Sequence, residues 1–456
     1  MSGHIYREYD IRGVADRDLT DPVVEGIGRG LAQMLGTGSP PRVVVGQDCR
    51  ESGPRIFDAL TRGLLSGGAS VVNVGVGPTP LVYFGVHELS ADGGVMITGS
   101  HNPGDENGLK IMQGKLSFFG EDIQKLSQLV SSGSYKTPSS RGELSSQDIS
   151  ERYLERLTSD IAIGDASTRF VLDAGNGAAG PLGVAALRRV GLSPVELFTD
   201  MDGTFPNHHP DPTLPETLES LRKAMAEHDA VVGLAFDGDG DRLGVVDRTG
   251  EIIWGDRLLA LFARYALPKH PGAKVIGDVK CSTVLFDDIR RSGGEAVMWK
   301  TGHSLIKAKM KESRAILAGE MSGHFFFADR YLGFDDGIYA ALRVMEIVSQ
   351  ERKTVGELLA DLPSPYVTPE LRVDCPDDTK FEVVRRVREH FLAEGANVLD
   401  IDGVRVSYED GSWGLVRASN TSPKLILRFE APSAARRDAL HAETAQLVET
   451  LRNSIS

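Results

Sequence analysis

The stretch Ala230–Phe236 (AVVGLAF), followed at once by Asp237–Arg242 (DGDGDR), decides the fold class of this chain. A short run of small and apolar residues that ends in an abrupt polar turn is typical of a strand buried on both faces of a parallel sheet. Such sheets bind ligands beyond the carboxyl ends of their strands, where the polar turn lies. The stretch therefore predicts an α/β domain with a functional loop after a central strand.

The order strand, helix, strand, helix, strand occurs three times along the chain. The predicted strands are Arg42–Gly46, Ala69–Val74 and Gly94–Thr98, then Arg169–Asp173, Pro194–Phe198 and Ala230–Phe236, then Lys274–Gly277, Glu295–Trp299 and Arg314–Ala318. Helical periodicity in the intervening segments, such as Pro54–Leu65 and Pro181–Arg189, is followed by glycine-rich breaks. This pattern predicts three βαβαβ-type domains with mixed or parallel sheets covered by helices on both faces.

The chain from about Pro369 onward has a different pattern. The predicted elements are a strand at Glu370–Asp374, a charged helix at Thr379–Glu394, strands at Val404–Tyr408, Gly414–Ala418 and Lys424–Phe429, and a helix from Ser433. The turn Glu409–Ser412 contains the Asp-Gly pair of a hairpin. We therefore predict an α+β fourth domain with a largely antiparallel sheet, and a linker at Ser131–Ser146. A chain of 456 residues is too long for one core, and we set the domains at 1–148, 149–252, 253–368 and 369–456.

Composition excludes several classes of function. The formal net charge of −14 argues against a nucleic-acid partner but permits a small phosphorylated ligand in a local positive cleft. No apolar run approaches the ~20 residues that span a bilayer, and the charged start Met1–Gly13 does not resemble a signal peptide. The three cysteines are widely spaced and form neither a disulfide framework nor a zinc motif. We expect a cytoplasmic protein with no membrane association.

A polar loop ends the third strand of each repeat, and the tail offers a fourth. These loops are Thr98–Pro103 (TGSHNP), Asp237–Arg242 (DGDGDR), Gly319–His324 (GEMSGH) and Arg417–Pro423 (RASNTSP). Loops at equivalent strand ends predict four domains that face one central cleft.

The loop DGDGDR gives the strongest chemical prediction. Alternation along an extended segment turns Asp237, Asp239 and Asp241 to one side, and the glycines between them let the backbone bend around a cation. Three carboxylates suit Mg²⁺. An EF-hand does not fit, because Arg242 replaces its glycine and Arg248 replaces its last glutamate. A solvated acidic turn is the plain alternative.

Ser100 is the candidate nucleophile, although a serine after a strand is more often a turn or cap residue. Gly99 permits close approach of a ligand, Asn102-Pro103 stiffens the following backbone, and Lys110 offers a nearby amine. A magnesium site on a neighbouring domain would provide the charge neutralisation that phosphoryl transfer requires.

The two other loops offer groups that recognise a sugar phosphate. Glu320 and Ser322 could bind sugar hydroxyls, or could simply begin a helix. The segment Arg417–Thr421 combines a guanidinium, hydroxyls and an amide, as a phosphate cradle does, or could be a polar hairpin end. His303 follows a strand and could contact substrate. A metal role for His208-His209 is not favoured, because adjacent histidines rarely point at one ion.

Together these motifs resemble the α-D-phosphohexomutase superfamily, and GEMSGH most resembles its bacterial phosphomannomutase/phosphoglucomutase branch. The similarity runs in order through YDIRG, TGSHNP, NGLK, FPNHHPDP, DGDGDR, DVKCS, KTGHSLIK, GEMSGH and RASNTSPKLILRFE. It implies three α/β domains and a C-terminal domain related to the TATA-binding-protein fold. It also implies a mutase that interconverts hexose 1-phosphate and hexose 6-phosphate of mannose, glucose or both, through a phosphoserine and a reorienting 1,6-bisphosphate.

The resemblance assigns roles to individual residues. It implies that Mg²⁺ is bound by Asp237, Asp239, Asp241 and the phosphate on Ser100, and that a hexose 1,6-bisphosphate is the activator and intermediate. The implied catalytic residues are Ser100, Lys110, Arg12 and His303, with Lys110 as a plausible acid/base. The implied substrate-binding residues are Tyr9, Arg242, Lys280, Glu320, Ser322, His324, Arg417, Ser419, Asn420 and Thr421.

Other functions stay open from the residues alone. Gly175–Gly180 (GNGAAG) fits the glycine spacing of a dinucleotide site, although the other two repeats lack it. A phosphoglucosamine mutase, a magnesium sugar phosphatase and a non-catalytic sugar-phosphate-binding protein are further alternatives. The sequence does not decide between epimeric sugars, because they differ by few contacts. We expect a monomer or weak dimer that binds small sugar phosphates.

Overall fold

The first domain is built around a mixed sheet. The computed structural model describes residues 3–36, 40–420 and 422–455. The elements of this domain are β1 (Ile11–Val14), α1 (Ala15–Asp18), α2 (Asp21–Leu35), β2 (Arg42–Gln47), α3 (Gly53–Ser66), β3 (Ser70–Val76), α4 (Thr79–Glu88), β4 (Gly93–Ile97), β5 (Glu106–Gln113), β6 (Leu116–Ser117), α5 (Glu121–Ser132) and β7 (Leu144–Ser146). The strand order is β1-β5-β4-β2-β3-β7, with β6 beside β5.

The second and third domains repeat this architecture with fewer strands. The second contains α6 (Ser150–Thr158), β8 (Phe170–Asp173), α7 (Gly180–Arg189), β9 (Val195–Leu197), α8 (Glu219–Glu227), β10 (Val232–Phe236), β11 (Leu243–Asp247) and β12 (Ile252–Ile253). The third contains α9 (Gly255–Ala266), β13 (Lys274–Asp278), α10 (Thr283–Arg291), β14 (Glu295–Trp299), α11 (His303–Ser313), β15 (Leu317–Gly319), β16 (Phe325–Phe327), α12 (Gly337–Glu351) and α13 (Val355–Leu358). Their strand orders are β12-β11-β10-β8-β9 and β14-β13-β15-β16.

The fourth domain packs helices on an antiparallel sheet. Its elements are β17 (Tyr366–Val367), β18 (Leu371–Asp374), α14 (Lys380–Ala393), β19 (Asn397–Leu399), β20 (Val404–Ser407), β21 (Trp413–Ala418), β22 (Lys424–Ala431) and α15 (Ala434–Asn453). The strand order is β17-β22-β21-β20-β19, and β18 also pairs with β22. The boundary after residue 368 stays a prediction, although β17 already belongs to this sheet.

Each functional loop of the first three domains joins a parallel strand to an antiparallel neighbour. The strand pairs are β4 with β5, β10 with β11, and β15 with β16, all antiparallel, whereas the earlier strands of each repeat pair in parallel. These second strands were not predicted from the sequence. The consequence is that the loops are short connections held at both ends, which fixes their side chains in place.

The hydrophobic core is continuous across the first three domains. One cluster joins Phe84 and Tyr153 to Phe236, Phe262 and Tyr339. Helix α12 follows the third sheet in sequence, yet it packs against α6, α7, β10 and β11 of the second domain. The fourth domain has its own core between its sheet and α14 and α15, and Trp413 and Leu415 on β21 also pack against Val279 of the third domain.

Most predicted elements are confirmed to within one or two residues at each end, and two predictions differ by more. The strand predicted at Arg314–Ala318 is Leu317–Gly319, because Arg314 ends helix α11 in the left-handed conformation, at φ +57°. The predicted linker Ser131–Ser146 is wrong at its end, where β7 pairs with β3 through backbone hydrogen bonds although Leu144 is exposed. Among the described residues, no helix is both long enough and apolar enough to cross a membrane.

Candidate active site

The loops after β4 and β10 meet at a direct contact between two domains. The Ser100 hydroxyl donates a hydrogen bond to Asp237 Oδ2 at 3.0 Å, and His101 Nδ1 lies 3.2 Å from the same hydroxyl oxygen. Gly238 makes this approach possible, because a Cβ there would stand 2.3 Å from the Ser100 carbonyl oxygen. Ser100 itself is buried in the left-handed conformation, at φ +51°.

Three buried carboxylates converge beside Ser100, and Lys110 on β5 partly neutralises them. Lys110 Nζ lies 2.7 Å from Asp239 Oδ2 and 2.5 Å from Asp241 Oδ2. Burial alone would lower the pKa of Lys110, but the two aspartates outweigh it and raise the pKa, so the amine is an ammonium. Burial and the neighbouring charges raise the pKa of Asp237 well above its usual range. Burial would raise the pKa of Asp239, but Lys110 outweighs it and lowers that pKa, so the ammonium neutralises the three carboxylates unevenly.

These residues fit a divalent cation. Oxygen atoms of Asp237, Asp239 and Asp241 lie within 4.8 Å of one another. Oδ1 of Asp239 and Oδ1 of Asp241 are buried and accept no hydrogen bond from the residues that the structure describes. Buried carboxylate oxygens without donors are costly unless a cation binds them, and hard oxygen ligands of this kind suit Mg²⁺. The residues alone do not distinguish Mg²⁺ from other hard divalent ions.

Two arginines contact groups next to the Ser100 hydroxyl: Arg12 Nη1 lies 3.4 Å from the Gly99 carbonyl oxygen, and Arg242 Nε lies 3.7 Å from Asp237 Oδ2. Arg12 Nη1 donates to Asn102 Oδ1 at 3.0 Å, and Arg12 Nε donates to Asp10 Oδ2 at 2.6 Å. Arg242 Nε donates to His324 Nε2 at 3.0 Å. That imidazole nitrogen must then be an acceptor, so the proton of neutral His324 lies on Nδ1. This end of the cleft can hold a phosphoryl group between cations.

The GEMSGH loop connects this end to the rest of the cleft. His324 stacks on His303 with ring centroids 5.7 Å apart, and His303 meets the Tyr9 ring edge-on at 6.3 Å. Glu320 Oε1 accepts the Gly302 amide at 2.6 Å, and burial raises the pKa of Glu320. Ser322 lies on the same turn and is half-buried.

The fourth domain closes the far end of the cleft. Asn420 Nδ2 donates to the Tyr9 hydroxyl at 2.5 Å, and the Tyr9 hydroxyl in turn donates to the Thr301 carbonyl at 2.8 Å. Arg417 Nε contacts Asp402 Oδ2 at 3.1 Å, and Lys280 Nζ contacts Glu370 Oε2 at 3.1 Å. Ser419 lies on the same loop, and Thr421 falls outside the described residues. Arg417 and Lys280 thus form a second set of cations, held by the third and fourth domains and not by the loops around Ser100.

Comparison with known proteins identifies the family. The models of phosphoglucomutase/phosphomannomutase alpha/beta/alpha domains I, II and III match residues 3–136, 151–250 and 254–366, and the C-terminal domain model matches 370–447. The chain belongs to the phosphoglucomutase/phosphomannomutase family. The phosphomannomutase/phosphoglucomutase of Pseudomonas putida is 46% identical over 432 residues, covering 94% of this chain and 92% of that protein. The phosphoglucomutase of Neisseria meningitidis serogroup A is 43% identical over 453 residues, covering 99% and 98%.

A solved structure agrees with this family assignment. The phosphoglucomutase/phosphomannomutase family protein of Burkholderia thailandensis matches with a TM-score of 0.90 at 42% identity, covering 99% of this chain and 98% of that one. The family and the four-domain fold predicted from the motifs are therefore confirmed, and the chain is an enzyme of the phosphohexose mutase type.

Several residues that pack against the candidate site were not predicted from the sequence. Thr79 donates its hydroxyl to Asp239 Oδ2 at 2.5 Å. Asp335 contacts Lys307 Nζ at 2.8 Å and His324 Nδ1 at 3.1 Å. Asp10 pairs with Arg12. Its place two residues before Arg12 in YDIRG could have predicted this ion pair from the sequence. Thr79 and Asp335 lie too far from the loops in sequence to be assigned without the fold.

The glycines of GNGAAG do not form a dinucleotide site. A Cβ at Gly177 would stand 2.8 Å from the Gly238 carbonyl oxygen, and the Ala178 amide donates to that carbonyl at 2.9 Å. The space that a pyrophosphate would need is filled by the DGDGDR loop. His208 is also occupied, because its Nε2 contacts Asp173 at 3.0 Å.

Proposed function

We propose that this enzyme interconverts the 1-phosphate and 6-phosphate of mannose, glucose or both, through phosphorylated Ser100 and a hexose 1,6-bisphosphate intermediate. The observation that carries the proposal is the 3.0 Å contact between Ser100 Oγ and Asp237, inside a cleft with cations at both ends. Relatives that carry the names phosphomannomutase/phosphoglucomutase and phosphoglucomutase support this activity.

The phosphoryl group moves between Ser100 and a sugar hydroxyl. The bond from phosphorus to Oγ breaks as the bond from phosphorus to the sugar oxygen forms. The sugar hydroxyl gives up its proton to a base, for which His324 Nε2 is the candidate because it is an acceptor in the structure, and the Lys110 ammonium provides a proton for the departing Oγ. Because its pKa is raised, Lys110 is protonated and cannot be the base of this step, so its ammonium can only donate. Arg12 and Arg242 stabilise the spread negative charge.

Mg²⁺ is the proposed metal, with Asp237, Asp239 and Asp241 as its protein ligands. When bound, it supplies further charge neutralisation at the transferring phosphoryl group. The orphaned oxygens of Asp239 and Asp241 support this assignment.

The far end of the cleft would hold the phosphate that does not react. Arg417, Lys280 and Asn420 offer the donors, while Glu320 and Ser322 would bind hydroxyls of the sugar ring. After the first transfer the bisphosphate must turn end for end, so both ends of the cleft must accept either phosphate. Because these groups are largely buried, substrate entry requires the fourth domain to move, which would part the contact of Trp413 and Leu415 with Val279.

Related functions differ in what they release or accept. A magnesium sugar phosphatase would release inorganic phosphate, whereas a mutase retains it. A phosphoglucosamine mutase would turn over glucosamine phosphate, and parallel assays on the three sugars decide the preference. We propose a cytoplasmic enzyme, because Cys49, Cys281 and Cys375 are free thiols, as in a reducing compartment. We also propose that it is monomeric or weakly dimeric.

Ser100→Ala tests the proposal. The variant should lose nearly all mutase activity on glucose 1-phosphate and mannose 1-phosphate, measured with saturating hexose 1,6-bisphosphate. Ser349→Ala is the matched control, because Ser349 is equally buried but accepts the Gly164 amide, away from the cleft. Near wild-type turnover by the Ser100 variant would end the phosphoserine mechanism.

A further inference from the structure

A buried arginine holds the Ser100 loop by its backbone. Arg50 donates from Nη2 to the carbonyl oxygens of Ser100 and Asn102, at 2.9 and 2.6 Å. It donates from Nη1 to the carbonyl oxygens of Pro103 and Glu106, at 2.5 and 2.9 Å. The side chain is fully buried. A single guanidinium therefore binds four carbonyl groups along the loop that carries the proposed nucleophile.

The contact with the Ser100 carbonyl restrains an unusual backbone conformation. Ser100 has φ +51°, which a residue with a side chain adopts only when its surroundings hold it there. The carbonyl oxygen lies between Arg50 on one side and the Gly238 backbone on the other. Turning this peptide would also turn Oγ away from Asp237, so the carbonyl contact and the aim of the hydroxyl are coupled.

Gly99 is the residue that lets the guanidinium approach. A Cβ at Gly99 would stand 2.5 Å from Arg50 Cζ. The backbone of Gly99 is not left-handed, so a side chain there is excluded by the guanidinium and not by its φ angle. Gly99 therefore leaves room for the Arg50 guanidinium, in addition to permitting the close approach of a ligand to Ser100.

The same arginine contacts the domain that carries the three aspartates. Its guanidinium lies over the Phe205 ring, 5.2 Å from the centroid. A Cβ at Gly203 would stand 2.3 Å from the Cys49 carbonyl oxygen, so the two backbones touch beside Arg50. Arg50 is therefore fixed to both halves of the candidate active site.

We propose that Arg50 is a positioning residue, which sets the Ser100 hydroxyl against the aspartate loop for phosphoryl transfer. The proposal rests on the proposed function of Ser100. Only a planar guanidinium can reach four carbonyl oxygens at once, because the lysine ammonium is a compact point donor. A displacement of about 1 Å in a reacting group can cost about 10²-fold in rate.

The test measures transfer from glucose 1,6-bisphosphate to Ser100 in one turnover, by intact-protein mass. Arg50→Ala and Arg50→Lys should slow this transfer by about 10²-fold, with little change in the KM of the sugar phosphate. Guanidinium ion, well below denaturing concentration, should restore part of the rate in Arg50→Ala, and urea should not. Arg55→Ala is the matched control, because Arg55 also donates to backbone carbonyls of this domain, those of Leu19 and Ala15.

A second variant serves if Arg50→Ala does not fold. Gly99→Ala keeps the arginine but displaces its guanidinium, and it should reproduce the slow transfer. A wild-type rate in folded Arg50 variants, or recovery by guanidinium no greater than by urea, would overturn the positioning role alone. Wild-type protein that takes up no phosphoryl group on Ser100 would overturn the proposed function and the positioning role with it.

Discussion

Replacing Lys110 by methionine should both destabilise the protein without metal and tighten its affinity for Mg²⁺. Lys110 Nζ lies 2.7 and 2.5 Å from Oδ2 of Asp239 and of Asp241, so its positive charge partly neutralises the two carboxylates that a cation would bind through Oδ1. Removing one partner of a buried ion pair costs about 3–5 kcal/mol, because the remaining charges stay uncompensated. We expect a loss of this size in the free energy of unfolding when no Mg²⁺ is present.

Magnesium should reverse much of that loss. A ligand at a hundred times its Kd stabilises a folded protein by about 2.7 kcal/mol. In the Lys110→Met variant the stabilisation by Mg²⁺ should be larger, because no ammonium competes with Mg²⁺ for the negative charge of the carboxylates. Each additional 1.4 kcal/mol corresponds to tenfold tighter binding. We therefore expect the Kd for Mg²⁺ to fall at least about tenfold.

Denaturant unfolding with and without MgCl₂, together with calorimetric titration of Mg²⁺, measures both effects. Lys307→Met is the matched control, because Lys307 forms a buried ion pair with Asp335, outside the aspartate loop. The control should lose stability that Mg²⁺ does not restore. Equal stabilisation of wild type and Lys110→Met by Mg²⁺ would refute the competition between the ammonium and the metal.

Two further substitutions test the closure of the fourth domain. Tyr9→Phe removes the hydroxyl that the Thr301 carbonyl and the Asn420 amide share as a hydrogen-bond partner. The loss should lower the free energy of unfolding by about 1–3 kcal/mol. We expect a higher KM and a lower melting temperature, and unchanged values of both would contradict this. Lys280 lowers the pKa of Glu370 to about 2 from its usual value near 4.5. The ion pair therefore stabilises the fold by up to about 3 kcal/mol, and this stabilisation is fully present above about pH 4.5. It is lost as the pH falls through about 2, where Glu370 becomes protonated. Melting temperatures of wild type and Glu370→Gln should converge over that pH range, and a constant difference would exclude the ion pair as its cause.

The sequence could predict the repeated α/β architecture and the convergence of the three aspartates because both follow from local periodicity. The strands after each loop were not predicted. β5, β11 and β16 reverse direction after a glycine-rich turn, and their short apolar runs do not reveal whether they pair in parallel. β7 has no apolar pattern by which it could be recognised. Backbone hydrogen bonds to β3 hold it at an exposed edge of the sheet.

The same limit applies to the candidate site. Side chains on the loops themselves could be identified from sequence, whereas those that reach the loops from elsewhere could not. Arg50 and Thr79 lie in the first domain outside the TGSHNP motif, and Asp335 follows the third sheet. Their partners depend on how domains pack together, which no pattern of neighbouring residues records. The sequence predicts Lys110 near Ser100. Its contacts with the aspartates could not be predicted, because they depend on strand β5, which the sequence pattern did not reveal.

The placement of α12 constrains how the polypeptide acquires its structure during synthesis. The sheet of the second domain is complete at Ile253, yet the helix that covers one side of it spans Gly337–Glu351. A ribosome must therefore translate most of the next domain before that apolar surface is shielded, and the nascent chain is exposed to aggregation in the interval. A gene fragment that stops after residue 253 should yield insoluble product.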